Sequence, residues 1–159
     1  MTSVDPVPEH LHTVTPRLVV RGGAEAIDFY RAAFGAEEVG ERFTGPDGEV
    51  IHAQVRIGDS IVMITDAGDN GGPAQAPSPA GGAVTAIMAT YWPDVDAAWE
   101  RAAAAGAEVI FPLADQFYGE RGGRLRDPFG QQWMLSQRIE HVSGEEMARR
   151  AARLFGSPG

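Results

Sequence analysis

Polar and apolar residues alternate along this chain at two different periods, and the change from one period to the other marks out its elements. Between residues 50 and 57, Ile51, Ala53, Val55 and Ile57 fall on one side of an extended chain and His52, Gln54 and Arg56 on the other. That two-residue period belongs to a strand with one buried face. Between residues 24 and 34, Ala26, Ile27, Tyr30, Ala33 and Phe34 keep the spacing of an amphipathic helix, and Gly35 follows as a C-terminal stop. Further strands are predicted at 14–20, 37–44 and 60–65, separated by Gly22-Gly23, Gly45-Pro46-Asp47-Gly48 and Gly58-Asp59. A second helix is predicted at 96–105, with Pro93-Asp94-Val95-Asp96 as its start, the proline in its first turn, and Gly106 as its stop. Strands are expected around it at 84–92, 108–114, 124–127 and 131–137, with 119–123 a loop and Asp127-Pro128-Phe129-Gly130 a turn. A third helix starts with Ser143 as cap and Glu146 at the third helical position, and runs to about residue 155.

The same order of elements occurs twice. Ala26-Ile27-Asp28-Phe29-Tyr30 leading to Phe34-Gly35-Ala36-Glu37 returns 71 residues later as Ala97-Ala98-Trp99-Glu100-Arg101 leading to Ala105-Gly106-Ala107-Glu108. Each copy reads as a βαβββ unit, and a unit of about 70 residues has a sheet face that it cannot cover alone. Pairing two units supplies cover and leaves a cleft between them. The predicted organisation is an N-terminal tail (1–13), one domain (14–139) made of module 1 (14–66), a Gly/Pro/Ala-rich linker (67–82) and module 2 (83–139), then a C-terminal helix and tail (140–159). The fold class is α+β.

Composition narrows the function classes. A chain of 159 residues with 43% hydrophobic content forms one domain with a core. A net charge of -9 works against binding a polyanion, so neither nucleic acid nor an anionic membrane surface is an expected partner. With no cysteine, disulfides, thiolate nucleophiles and Cys-based metal sites are excluded. No apolar run approaches the roughly 18 residues of a membrane span, and a cytoplasmic location is the expectation. No phosphate-cradling loop and no nucleophile motif is present.

Thr15-Pro16 with Leu18-Val19-Val20, the Ala26 to Tyr30 and Phe34-Gly35-Ala36 motifs, His52-Ala53 with Arg56-Ile57-Gly58-Asp59-Ser60, Asp94-Val95-Asp96, Asp115-Gln116-Phe117-Tyr118-Gly119 and Arg126-Asp127-Pro128-Phe129-Gly130 occur in an order with a known counterpart. On these residues the chain resembles the glyoxalase, bleomycin-resistance protein and extradiol dioxygenase superfamily, the vicinal oxygen chelate proteins, and within it the PhnB-like branch. The resemblance implies two tandem βαβββ modules forming an incomplete barrel around a cleft, with the C-terminal helix as an addition, and a homodimer. It also implies a divalent metal on inward side chains of the first and last strand of each module, acting as a Lewis acid. Carried onto this chain, those positions fall near Thr15, among Val62, Met63 and Ile64, near Ile87, and at Met134. A register two residues away brings Arg17, Ala89, Gln132 or Ser136. None is His, Asp or Glu, so no metal and no cofactor are expected.

The candidate site residues follow from strand parity and from that cleft. His52, with Gln54 and Arg56 beside it on one strand face, is a candidate general base or a donor to an anionic ligand, and Gln54 and Arg17 are counted with it as ligand-binding candidates. Tyr118 is placed on a cavity rim to stack, and Arg121 to grip a carboxylate or phosphonate. Tyr91 and Trp92 at the end of a strand, Met63 and Met134 as a soft apolar wall, and Gln132 on the cleft-facing parity complete the set. Trp99 and Trp133 are expected in the core. The leading functional expectation is a protein that binds a small apolar, aromatic or anionic molecule in a metal-free cleft, sequestration of a natural product being one form. The alternatives are a lyase or isomerase using His52 and the 118–121 loop, and a metal-dependent glyoxalase-type enzyme with atypical ligands; extradiol dioxygenase chemistry is the least expected.

Overall fold

The computed structural model describes residues 4–68 and 74–156. Parts of the predicted N-terminal tail (1–3), linker (69–73) and C-terminal tail (157–159) lie outside the described residues. Module 1 consists of β1 (Arg17–Val20), α1 (Gly23–Phe34), β2 (Glu37–Glu38), β3 (Phe43–Thr44), β4 (Val50–Ile57) and β5 (Ser60–Asp66). Module 2 repeats the plan as β6 (Met88–Tyr91), α2 (Val95–Ala105), β7 (Glu108–Asp115), β8 (Glu120–Arg126) and β9 (Gln132–Arg138), and α3 (Gly144–Phe155) follows. In the first sheet the strand order is β1-β5-β4-β2, with β3 also on β4; in the second it is β6-β9-β8-β7. The opening strand of each module lies parallel to its closing strand, β1 on β5 and β6 on β9, and the other pairs are antiparallel. The α+β class and the paired modules are as the sequence implied.

The helix ends explain the repeat and its imperfection. Gly35 and Gly106 close α1 and α2 in left-handed conformation, φ 66° and 117°, where a side chain would be strained. They are 71 residues apart, whereas the N-caps Gly22 and Asp94 are 72 apart, because α1 is one residue longer than α2. Asp94 accepts from the Ala97 amide, so Pro93 precedes the cap instead of sitting in the first turn. Gly22 has no side chain to cap with; the Asp66 carboxylate at the end of β5 accepts from Gly22 N (2.7 Å), Gly23 N (2.9 Å) and Val50 N (2.8 Å) in its place. At α3, Ser143 caps the Glu146 amide as predicted.

The modules meet through their helices and not through the open faces of their sheets. α1 packs on the first sheet and on α2, and its aromatic side reaches the second sheet: the Phe34 ring centre is 4.7 Å from that of Trp133 and 6.0 Å from that of Trp92. One core therefore contains Leu18, Val20, Ile27, Tyr30 and Ile64 from module 1 and Val95, Leu125, Trp133 and Leu135 from module 2. Trp133 is buried as expected, and Trp99 is partly buried against the same core.

Several strands differ from their predicted extents. β1 and β6 begin later than 14 and 84, and the 37–44 strand splits into β2 and β3 around Gly40, whose φ is 72°. Residues 119–123, expected to be a loop, largely belong to β8. Gly123 is there because Trp99 lies on it: a Cβ would come 2.6 Å from the indole and 2.8 Å from the Phe111 carbonyl. The glycine pair permits close packing within a strand and does not break it.

Candidate functional site

Strand register assigns the predicted site residues to faces, apart from Trp92 and Tyr118, which lie outside the strands. In the first sheet, Ala53, Val55, Ile64 and Leu18 point to the helices and are buried, so the alternate positions point away. Arg17, Met63 and Gln54 lie side by side across β1, β5 and β4, with His52 the next same-face residue on β4. The N-terminal segment lies against this face: His10 Nε2 is 2.9 Å from Gln54 Oε1, and Gln54 Nε2 is 3.3 Å from His52 Nε2. Arg17 is exposed and donates to the Ile51 carbonyl at 3.3 Å.

In the second sheet, Gly123, Leu125, Trp133 and Leu135 face α2 and the core. Ala89, Met134, Arg124 and Phe111 occupy successive strands β6, β9, β8 and β7 in one row on the opposite face. Tyr91, Ser136 and Gly122 form the next row, and Gln132 shares the parity of Met134. The Tyr91 hydroxyl donates to Glu120 at 2.8 Å, and with that carboxylate beside it the phenol is held above its usual value.

Arg121 is not on this face. It pairs with Gln137, whose side-chain oxygen accepts from the Val95 amide at the start of α2, and its guanidinium is bound by Asp96 (2.8 Å) and Asp115 (3.1 Å). Held by these two carboxylates, Arg121 keeps its proton more tightly than a free arginine and Asp96 ionises more readily than usual. Tyr118 stands in the turn before β8, its ring edge-on to Phe117 with centres 5.2 Å apart.

Two hollows take in four of these residues. A cleft of about 800 Å³ runs between the β1 and β5 end of module 1 and the β6 strand of module 2; Thr15, Pro16, Ile61, Tyr91, Trp92 and Trp133 are among its walls. A smaller hollow of about 240 Å³ on the open face of the second sheet takes in Phe111, Gln116, Tyr118, Arg124, Met134 and Ser136. Tyr91 and Trp92 thus belong to the cleft and Tyr118 and Met134 to the hollow, while His52, Gln54, Arg17 and Met63 form a third group. Gln132 lines neither. Trp92 is fixed on one side by Phe34 and by its indole N–H on Thr90 Oγ1 (2.8 Å), with the Arg101 guanidinium 5.7 Å from its ring centre.

The core beside the cleft holds a buried polar centre not foreseen from the sequence. The Asp127 carboxylate accepts from Tyr30 Oη (2.7 Å), Trp133 Nε1 (2.9 Å), Phe129 N (2.9 Å) and Gln131 N (3.0 Å). Burial raises its pKa above the ordinary aspartate value against the downward pull of these donors, and it pushes the Tyr30 phenol well up. All four acceptor positions are used internally, which makes Asp127 a structural group.

A glyoxalase, bleomycin resistance protein and dioxygenase superfamily model matches residues 10–135. The chain belongs to this superfamily. Two uncharacterised relatives, Mb0911c of Mycobacterium bovis and Rv0887c of Mycobacterium tuberculosis, are each 44% identical over 136 residues; the match covers 84% of this chain and 88% and 79% of theirs. Among solved structures, TioX from Micromonospora sp. ML1 aligns at 25% identity with a TM-score of 0.60, covering 79% of this chain and 98% of that one. A PhnB protein from Bacillus cereus, described as a putative 3-demethylubiquinone-9 3-methyltransferase, aligns at 24% identity with the same TM-score, covering 79% and 99%, a likeness of fold.

Among the described residues, the strand positions that would hold the superfamily's implied metal carry no donor set for it. The structural pairs of opening and closing strand on the open faces are Arg17 with Met63 and Ala89 with Met134, the register two residues from Thr15 and Ile87. Guanidinium, methyl and thioether groups do not hold a hard or borderline divalent cation. Among the described residues no three His, Asp or Glu side chains come together as a metal site. Among the described residues, also, no helix is long and apolar enough to cross a membrane.

Proposed function

We propose that this protein binds a small, largely apolar molecule bearing a flat ring in the cleft between its modules, without a metal, and acts by sequestering it. The observation that carries this reading is the cleft itself. Its volume lies within the range of small-molecule sites, its walls are mainly apolar, and Tyr91 and Trp92 offer ring faces or edges beside a few polar groups. His52 is bonded to Gln54 and is not among the cleft's walls, so no acid or base is placed there by the residues foreseen for catalysis. Membership of a superfamily that includes bleomycin-resistance proteins supports the same reading.

We further propose that two copies associate. Phe43, Tyr91 and Phe111 are 63%, 65% and 57% exposed on the sheets, large apolar side chains that one chain leaves uncovered. Sedimentation should give the mass of two chains, and a monomer at micromolar concentration would count against the pairing.

The test of binding uses the neutral fluorescent probe N-phenyl-1-naphthylamine. Saturable binding of one probe per chain, with quenching of tryptophan emission, is expected. Ala89→Trp places a large ring in the cleft from an exposed position and should abolish it. Absence of saturable binding, or binding unchanged in Ala89→Trp, would overturn the proposal.

A further inference from the structure

Arg124 lies on the open face of the second sheet without a counter-charge among the described residues. Among the described residues it makes no hydrogen bond and no ion pair, and its Nε is buried without an acceptor. The other arginines of β8 have carboxylate partners, Arg121 in Asp96 and Asp115 and Arg126 in Glu108 through Nη1 (3.0 Å), although the Arg126 Nε is buried without an acceptor as well. Arg124 alone of the three has no carboxylate among the described residues, and a guanidinium left without an acceptor in a hollow calls for one from outside the chain.

The surroundings define what that acceptor is. The Arg124 guanidinium carbon lies over the Phe111 ring, 5.2 Å from its centre, which holds the group at the wall of the hollow. Gln116, Tyr118 and Ser136 share its hollow with Met134, so amide, hydroxyl and thioether groups surround the space in front of it, with no carboxylate among the walls. A planar fork of N–H donors beside neutral hydrogen-bonding groups matches the two oxygens of a carboxylate. About 240 Å³ admits such a group and a few attached atoms, not a whole drug-sized ligand. The position is continuous with the cleft: Ala89, on the cleft wall, neighbours Met134, which neighbours Arg124. Strands are spaced by about 4.8 Å, so the guanidinium stands two strands, on the order of 10 Å, from the cleft wall.

We infer that Arg124 is the anchor for a carboxylate on the ligand, held in the Phe111, Tyr118 and Ser136 hollow while the ligand's apolar body extends toward Ala89 and Tyr91. This assignment rests on the small-molecule reading of the cleft and goes beyond it by fixing the ligand's charge and its orientation. It also moves anion recognition from Arg121, where the sequence suggested it, to a residue three positions on.

The probes are benzoate and its neutral isostere benzamide, titrated into protein carrying methyl-labelled methionine, with the Met134 signal identified by Met134→Leu. Benzoate should shift the Met134 methyl saturably, and benzamide should bind roughly ten- to a hundredfold more weakly. Arg124→Met should remove the preference for benzoate, Arg124→Lys should recover only part of it, and Arg121→Met should keep it. N-phenyl-1-naphthylamine binding in the cleft should survive in all three variants, which shows that each is folded. Equal binding of benzoate and benzamide, or unchanged benzoate binding by Arg124→Met, overturns the anchor while leaving the cleft reading intact. Dissociation of a wild-type dimer by Arg124→Met would instead assign the guanidinium to a subunit contact and overturn it as well. Failure of the naphthylamine to bind the wild type would remove the cleft reading, a result separable from the benzoate titration.

Discussion

The Tyr30 hydroxyl donates a 2.7 Å hydrogen bond to the buried carboxylate of Asp127, which follows it by 97 residues and belongs to the other module. Trp133 donates to the same oxygen, so one atom ties α1 of module 1 to the closing turn and strand of module 2. Tyr30→Phe removes one of these donors and should cost about 1–2 kcal/mol. Asp127→Ala leaves the phenol, the indole and two backbone amides without their acceptor, and should cost on the order of 3–5 kcal/mol. Urea unfolding of both variants measures this, and an Asp127→Ala loss no larger than that of Tyr30→Phe would show that the carboxylate does not organise the centre.

The same carboxylate sets part of the response to pH. Burial raises the Asp127 pKa in the folded state, so the folded protein binds this proton more tightly than the unfolded chain does. Its contribution is therefore most favourable at low pH, and it declines as pH rises from the unfolded value of about 3.9 through the higher folded one. Glu38, Asp96, Glu140 and Glu146 are held low by arginines and act in the opposite sense, losing stability as pH falls. Asp127→Asn, although less stable, should show a stability difference from wild type that narrows as pH rises through this window. A difference that widens would mean that folding lowers the Asp127 pKa, with the four donors outweighing burial.

Asp66 does for α1 what a capping side chain does within other helices. Three backbone amides, from Gly22, Gly23 and Val50, share its two oxygens. Asp66→Ala should cost about 2–4 kcal/mol in unfolding experiments, and Asp66→Asn should recover part of it because the amide oxygen still accepts.

Gly123 is needed for its lack of a side chain. A Cβ there would lie 2.6 Å from Trp99, so Gly123→Ala should lower stability by about 1–3 kcal/mol as α2 is pushed off the sheet. The double change with Trp99→Leu should restore part of the loss, and a thermal melt of the single and double variants decides it.

How much of the molecule is legible in the chain depends on how local each signal is. The α1 stripe and its Gly35 stop, and the alternation from His52 to Ile57, are complete within one element, and the structure reproduces them. The split of 37–44 and the continuity of 119–123 depend on partners far away, on β4 in one case and on Trp99 in the other. The second of these differences carries over to the site. A loop at 119–123 has no parity to separate Arg121 from Arg124, and the sequence then favours the arginine nearest the tyrosine. Extending the alternation back from Leu125, a core residue, through Gly123 places Arg121 toward the helix and Arg124 away from it. The Asp127 centre is hidden for the same reason: nothing within Asp127-Pro128-Phe129-Gly130 points to a tyrosine in the opposite module.

The burial of Phe34 and Tyr30 against Trp133 bears on how such a chain becomes structured. A polypeptide severed in the linker would give two fragments, each with an aromatic wall turned toward water and neither with a finished interior. They should become ordered only on meeting, so that mixing restores a folded product that neither piece forms alone. Such an outcome would make the repeat visible in the sequence a duplicated layout sharing one interior and not two independently folding units.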